Sequence, residues 1–140
     1  MIVTGSVSVA DIARALESQV AANKDVIDSL LKEVAQVVRD DAKQTAAFID
    51  KTGNLRKSIG MRRSKFIDGG YIVKASGRNR DTDSEGGKGF HAWLVEFGHV
   101  KVLWGRRTGG RVAPRPFMRP ALEKGISHAA TKISSITGAR

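Results

Sequence analysis

The sequence predicts an α+β domain: a long N-terminal helix, a small antiparallel sheet of three to four strands, and a C-terminal helix packed on that sheet. Three observations point there. Apolar residues recur at three- and four-residue spacing through the first third of the chain, β-rich segments broken by Gly-rich turns occupy the middle, and a second amphipathic run follows a cluster of prolines. At 140 residues the chain suits one domain, spanning 1–140, whose segments 1–7, 77–89, 99–113 and 135–140 are expected to be flexible.

The first helical run extends from about Ser8 to Phe48. Ile27, Leu30, Leu31, Val34, Val37, Val38 and Ala42 form one stripe, while Asp11, Glu17, Lys24, Asp28, Lys32 and Arg39 mostly occupy the other face. Asn23 is placed to divide the run into a short helix, Ile12 to Val20, and a longer second one. Thr52-Gly53-Asn54 closes it, because Gly and Asn tolerate the left-handed backbone that ends helices.

A β region follows. Ile59 to Ile67 reads as a weak strand, Asp68-Gly69-Gly70 as a hairpin turn, and Tyr71 to Ala75 as a short second strand rich in β-formers. Ser76 to Gly89 is a polar, Gly-rich excursion. His91 to Phe97 is the clearest strand, with Trp93, Val95 and Phe97 alternating against Ala92, Leu94 and Glu96. Beyond Gly98 lies a basic loop in which Val100, Val102, Leu103 and Trp104 suggest a short strand. Pro116 suits the first turn of a closing helix, whose apolar face is Phe117, Ala121, Leu122, Ile126, Ala129, Ala130 and Ile133. The last residues, from Ser134 on, are expected to fray.

Composition narrows the function. With 41% hydrophobic and 27% charged residues the chain reads as globular rather than disordered. No window approaches the roughly 18 consecutive apolar residues of a membrane span, and the N-terminus lacks the pattern of a secretory signal, so synthesis in the cytoplasm and no membrane partner are expected. The absence of cysteine excludes disulfides, thiolate metal sites and cysteine nucleophiles. The net charge of +10 is unevenly spread: residues 1–50 carry five Lys/Arg against eight Asp/Glu (−3), and the other 90 carry nineteen against six (+13). That asymmetry suggests a basic surface for nucleic acid or an acidic partner.

Catalytic chemistry finds no support. His91, Glu96 and His99 are close in sequence, but on a strand His91 and Glu96 face opposite ways and His99 lies past its end, so no metal site is expected. Asp81, Asp83 and Glu85 fall short of a calcium loop, and Gly86-Gly87-Lys88-Gly89-Phe90 lacks the context of a phosphate loop. No serine elbow is present. The expectation is a protein that is not an enzyme and holds no cofactor. Glu96 stands out as an acid among apolar neighbours, so it either pairs with Arg56, Arg115 or Arg119, within the subunit or across an interface, or it is solvated. Between Gly98 and Leu122 six cations, Lys101, Arg106, Arg107, Arg111, Arg115 and Arg119, stand with no acid, and Trp104 alone interleaves an aromatic among those of the basic loop. Non-specific attraction to phosphate is what such a segment offers, and a small basic non-sequence-specific nucleic-acid-binding protein is one reading.

Three stretches in order give the other. Thr52-Gly53-Asn54-Leu55-Arg56-Lys57-Ser58-Ile59, Ala92 to His99 with its Glu96-Phe97-Gly98, and Pro114 to Lys124 with Pro116-Phe117-Met118-Arg119-Pro120 resemble the gene-product-10-like neck and tail-completion proteins of long-tailed DNA phages. The resemblance implies a structural virion protein of the head–tail junction that helps complete or join the tail. It implies a homo-oligomeric ring, expected to be a hexamer, meeting the head connector and the tail tube or a tail terminator, with double-stranded DNA passing through it. A tail terminator is the alternative within the same class. Thr52, Gly53, Leu55, Arg56, Glu96, Phe97, Gly98, Pro116, Phe117, Arg119 and Pro120 are then structural motif residues, with the prolines aiming the closing helix and Phe117 buried beneath it. Lys101, Trp104, Arg106, Arg107, Arg111 and Arg115 are candidates to face a neighbour or DNA. The basic insertion, Gly105 to Arg111, departs from the shorter loops common in the family and is either a docking arm or a lumen-facing segment.

Overall fold

A computed structural model describes residues 9–65, 70–75 and 88–138. Helix α1, Val9–Gln44, is followed by a short helix α2, Asn54–Ser58, and the strands β1, Ile59–Arg63, and β2, Tyr71–Ala75. A six-residue helix α3, Ala92–Phe97, leads to strands β3, His99–Leu103, and β4, Arg106–Val112, and to the closing helix α4, Met118–Thr137. The α+β class stands. The four strands among the described residues are divided between two antiparallel two-stranded sheets, β1–β2 and β3–β4. The first pairs Ile59 with Ala75, Met61 with Val73 and Arg63 with Tyr71.

Helix α1 runs 36 residues without a break at Asn23. A single Asn costs a helix interior only a few tenths of a kcal/mol, roughly, and α1 has no proline to force an end. At about 1.5 Å per residue it is about 54 Å long. Its second half packs: Ala35, Val38 and Ala42 are buried, whereas Leu16, Val20, Val26 and Ile27 are each more than half exposed. The helix stops at Gln44, earlier than the Thr52-Gly53 signal, and Gly53 instead starts α2 with φ of 72°.

Helix α4 lies along α1 rather than on a sheet. The two run antiparallel, since Lys124 pairs with Asp41 while His128 (2.8 Å) and Lys132 (3.1 Å) pair with Glu33. They come close at Gly125, where a Cβ would lie 2.4 Å from Cγ2 of Val38. Gly125→Ala is therefore expected to push the helices apart and to destabilise the protein by about 1–2 kcal/mol, read as a lowered denaturant midpoint.

The core lies where α1, α2, β1 and the start of α4 meet. Phe117 is 1% exposed and packs edge-on against Phe48, with ring centroids 4.9 Å apart; Val38, Ala42, Leu55, Ile59 and Ala121 complete the cluster. Asp28 of α1 fixes the far end of the first sheet, accepting from the Tyr71 hydroxyl (3.3 Å) and pairing with Arg63 (3.1 Å).

Two further expectations are corrected. His91 to Phe97 is helical, not a strand. An apolar run this short fits both periods, and here the helical one is satisfied: Ala92 and Val95 turn toward the core, leaving Trp93 and Phe97 together on the outside. The basic segment after Gly98 is a hairpin rather than a loop. Trp104 and Gly105 form its two-residue turn at φ of 53° and 78°, as a tight hairpin requires. A bulge between Val100 and Val102 accommodates Gly109, at φ 74°. Helix α4 begins at Met118, two residues after Pro116, and continues to Thr137. The turn at Asp68-Gly69, most of the excursion from Ser76, with Asp81, Asp83 and Glu85, and the two termini lie outside the described residues.

Candidate functional site

The three sequence motifs meet around the core, and the first two each use one polar side chain to close a helix end. A helix start leaves four backbone N–H groups without partners inside the helix, and its end leaves carbonyls. At the start of α4 the Glu96 carboxylate takes three of these donors: Oε2 accepts from the amides of Phe117 (2.7 Å) and Met118 (3.0 Å), and Oε1 from that of Arg119 (3.2 Å). The fourth position is Pro120, which has no N–H to satisfy. A negative carboxylate at the positive end of the helix dipole adds to the arrangement.

Glu96 thus pairs with backbone and not with an arginine side chain. The helical turn of Ala92–Phe97 brings its carboxylate to the start of α4. Arg115 and Arg119 are exposed, and Arg115 contributes only its backbone, its amide donating to Val95 O at 2.8 Å.

Arg56 does the complementary work at the other helix end. Its guanidinium donates to the carbonyls of Lys43, Thr45 (2.7 Å) and Phe48 (3.2 Å), and it stacks over the Phe48 ring at 4.7 Å. A cation therefore covers the carbonyl end of α1 and holds Phe48 against Phe117. The Arg56 amide donates to Asp50 Oδ2 at 2.8 Å, and Asp50 also accepts from the amides of Gly53, Leu55 and Thr52. Sequence reasoning missed Asp50; the signal was an acid three residues ahead of a glycine-led helix start.

Burial works to raise the Asp50 pKa, but the four backbone donors, Arg56 first, outweigh it and hold the carboxyl below the usual aspartate range. A depressed folded-state pKa contributes stability that is present above the unfolded-state value and lost as pH falls through the folded one. Acid titration of the denaturant midpoint should therefore show a fall below the ordinary aspartate range that Asp50→Asn flattens. The hydrogen bond from His128, then that from Lys132, lowers Glu33 in the same sense on the exposed side of the α1–α4 contact.

Gly98 joins these pieces. Its φ of 70° and ψ of 172° belong to a region essentially reserved for glycine, and a Cβ there would lie 2.5 Å from Val112 O and 2.8 Å from Pro114 N. The two ends of the β3–β4 hairpin cross at this point. The hairpin itself projects: Lys101, Trp104, Arg106, Arg107 and Arg111 are all exposed, Trp104 at 95%. Of the remaining motif residues, Leu55 is 2% exposed, Thr52 accepts from the Asn54 amide at 3.4 Å, Phe97 is 63% exposed, and Pro116 and Pro120 lie on the surface.

Between α1, β2, α3 and the first turn of α4 lies an open groove of about 740 Å³. Leu31, Phe90, Trp93, Phe97 and Leu122 line it, and all but Leu31 are more than half exposed. Among the described residues no three His, Asp or Glu side chains cluster as a metal site would need.

The sequence model of a phage protein family, described as "Bacteriophage HK97-gp10, putative tail-component", matches residues 10–98. The chain belongs to this family. The match runs from α1 through Gly98, so the Thr-Gly-x-Leu-Arg and Glu-Phe-Gly motifs fall inside the tail-component family's shared region, and the hairpin and α4 follow it. No curated protein and no solved structure matches the chain. None of the helices among the described residues is long and apolar enough to cross a membrane.

Proposed function

We propose that this tail-component protein is a structural element of the head–tail junction, where it forms a ring that completes the tail or joins it to the head connector. The family match carries the reading. In it the chain contributes no catalytic step and needs no cofactor; its polar side chains of note are spent on helix ends, and its apolar and cationic surfaces are left for partners. Those partners are further copies of itself, in a ring of six, the head connector on one side, and the tail tube or a tail terminator on the other. Double-stranded DNA passes through without being read, because diffuse positive charge attracts phosphate without regard to sequence. Assembly takes place in the bacterial cytoplasm.

Complementation of a phage lacking the gene tests this. Filled heads and separate tails should accumulate without the chain and become whole virions with it. Whole virions in its absence would refute the proposal.

The exposed cations of the hairpin favour one second reading, a non-specific nucleic-acid-binding protein. Six phosphate contacts, from the hairpin cations with Arg115 and Arg119, would give a log–log salt slope of about −5 on duplex DNA. A slope near zero would remove that reading.

A further inference from the structure

We infer that the β3–β4 hairpin enters the major groove of duplex DNA tip first, with a cationic face toward each phosphate wall and Trp104 against the base edges. The inference deepens the junction reading above and rests on it for the source of the DNA.

The strand register sorts the hairpin's side chains into two faces. Val100 stands opposite Arg111, Val102 opposite Arg107 and Leu103 opposite Arg106. Opposed residues share a face, and successive residues of a strand alternate between faces. Both strands cross the bulge in an even number of residues, so the faces stay in phase. One face therefore presents Arg107 and Arg111 beside Val100 and Val102. The other presents Lys101 and Arg106 beside Leu103. The Lys101 side chain keeps to that second face, passing 3.3 Å from where a Cβ of Gly110 would lie.

Two cations thus stand on each face, all four exposed, and none forms an ion pair among the described residues. No acid lies between Gly98 and Leu122, and Glu96, just before the hairpin, is committed to the amides of α4. A ribbon laid on a protein surface has use for charge on one face. Charge on both faces suits a site with anions on both sides, which a DNA groove supplies as its two phosphate backbones. The major groove, about 12 Å wide and about 8.5 Å deep, admits a two-stranded ribbon. At about 3.3 Å per residue that depth takes two to three residues of each strand. Arg106 then meets one wall and Arg107 the other, with Lys101 and Arg111 nearer the rim. Strands of five and seven residues carry the tip roughly 17–23 Å from the root at Gly98, far enough to keep the body of the protein off the duplex.

Trp104 leads the entry. It is 95% exposed and sits at a φ of 53°, an outlier for a bulky residue. Such a conformation costs energy and persists where surroundings or function demand it. Here it holds the indole at the very end of the hairpin, where it and Leu103 make apolar contact with base edges. The cations meet phosphate, so the contact positions the duplex without reading its sequence.

Anisotropy of a labelled random-sequence duplex, titrated with the full chain, tests the contact. Four phosphate contacts predict a log–log salt slope of about −3.6. Lys101→Gln on one face and Arg111→Gln on the other should each reduce that slope by about 1. Trp104→Ala should weaken binding about tenfold and leave the slope unchanged. All three side chains are exposed, so melting temperatures should hold. In a Trp93→Phe background Trp104 is the sole tryptophan, and duplex should shield its emission from acrylamide. A chain that restores virions but binds no duplex at low salt would overturn the groove contact and leave the junction reading intact. A slope that responds to one face alone would overturn it in favour of a ribbon lying flat on its partner. Tighter binding to single-stranded DNA than to duplex would overturn it in favour of base stacking, and tighter binding to polyglutamate in favour of an acidic protein. Duplex binding as expected from a chain that fails to restore virions would instead refute the junction reading.

Discussion

Phe117→Ala is expected to destabilise the fold by about 3–5 kcal/mol, the cost of losing a buried aromatic and leaving a cavity. Phe117 is 1% exposed, meets the edge of Phe48, and is the residue on which α4 starts. Its truncation empties the centre of the cluster formed by Val38, Leu55, Ile59 and Ala121, and α1 cannot close on the space because Gly125 already brings α4 against Val38. A urea titration followed by circular dichroism reads the effect. An unchanged midpoint would place Phe117 outside the core.

Glu96→Ala is expected to cost about 2–4 kcal/mol, since charge-assisted hydrogen bonds to three amides are lost together and two of those amides are partly buried. Glu96→Gln keeps an acceptor without the charge and should fall between Ala and wild type. Arg115→Ala and Arg119→Ala should leave the midpoint within about 0.5 kcal/mol, because neither guanidinium is a partner. Double-mutant cycles separate the two accounts. Coupling between Glu96 and either arginine side chain above about 0.5 kcal/mol would contradict the capping role.

These two residues show where the sequence was legible. Phe117 lies in an amphipathic run behind prolines, and such a residue is interior whether its neighbours are helices or strands. The long first helix and the closing helix were likewise legible in their helical periodicity, and the β1–β2 pair in its β-formers and the Gly-rich turn between them. Glu96 was conspicuous as an acid among apolar residues, but its partner depended on the direction of its side chain. Six residues, Ala92 to Phe97, carry both an alternating and a helical pattern, and tertiary contacts of Ala92 and Val95 decide between them. The hairpin was hidden for a different reason: exposed on nearly every residue, it shows no alternation, and its turn residue is Trp104, a side chain that rarely adopts positive φ. The groove was illegible altogether, because it is lined from four separate elements. What the motifs did transmit was the family, since they are the residues that close helix ends and fix the chain's crossings.

The location of the chain in the assembled particle tests the central claim most directly. Intact virions labelled with a gold-conjugated antibody against the chain should carry gold at the junction of head and tail. Label along the tail or at its distal tip, or virions that contain none of the chain, would contradict a structural role at that junction.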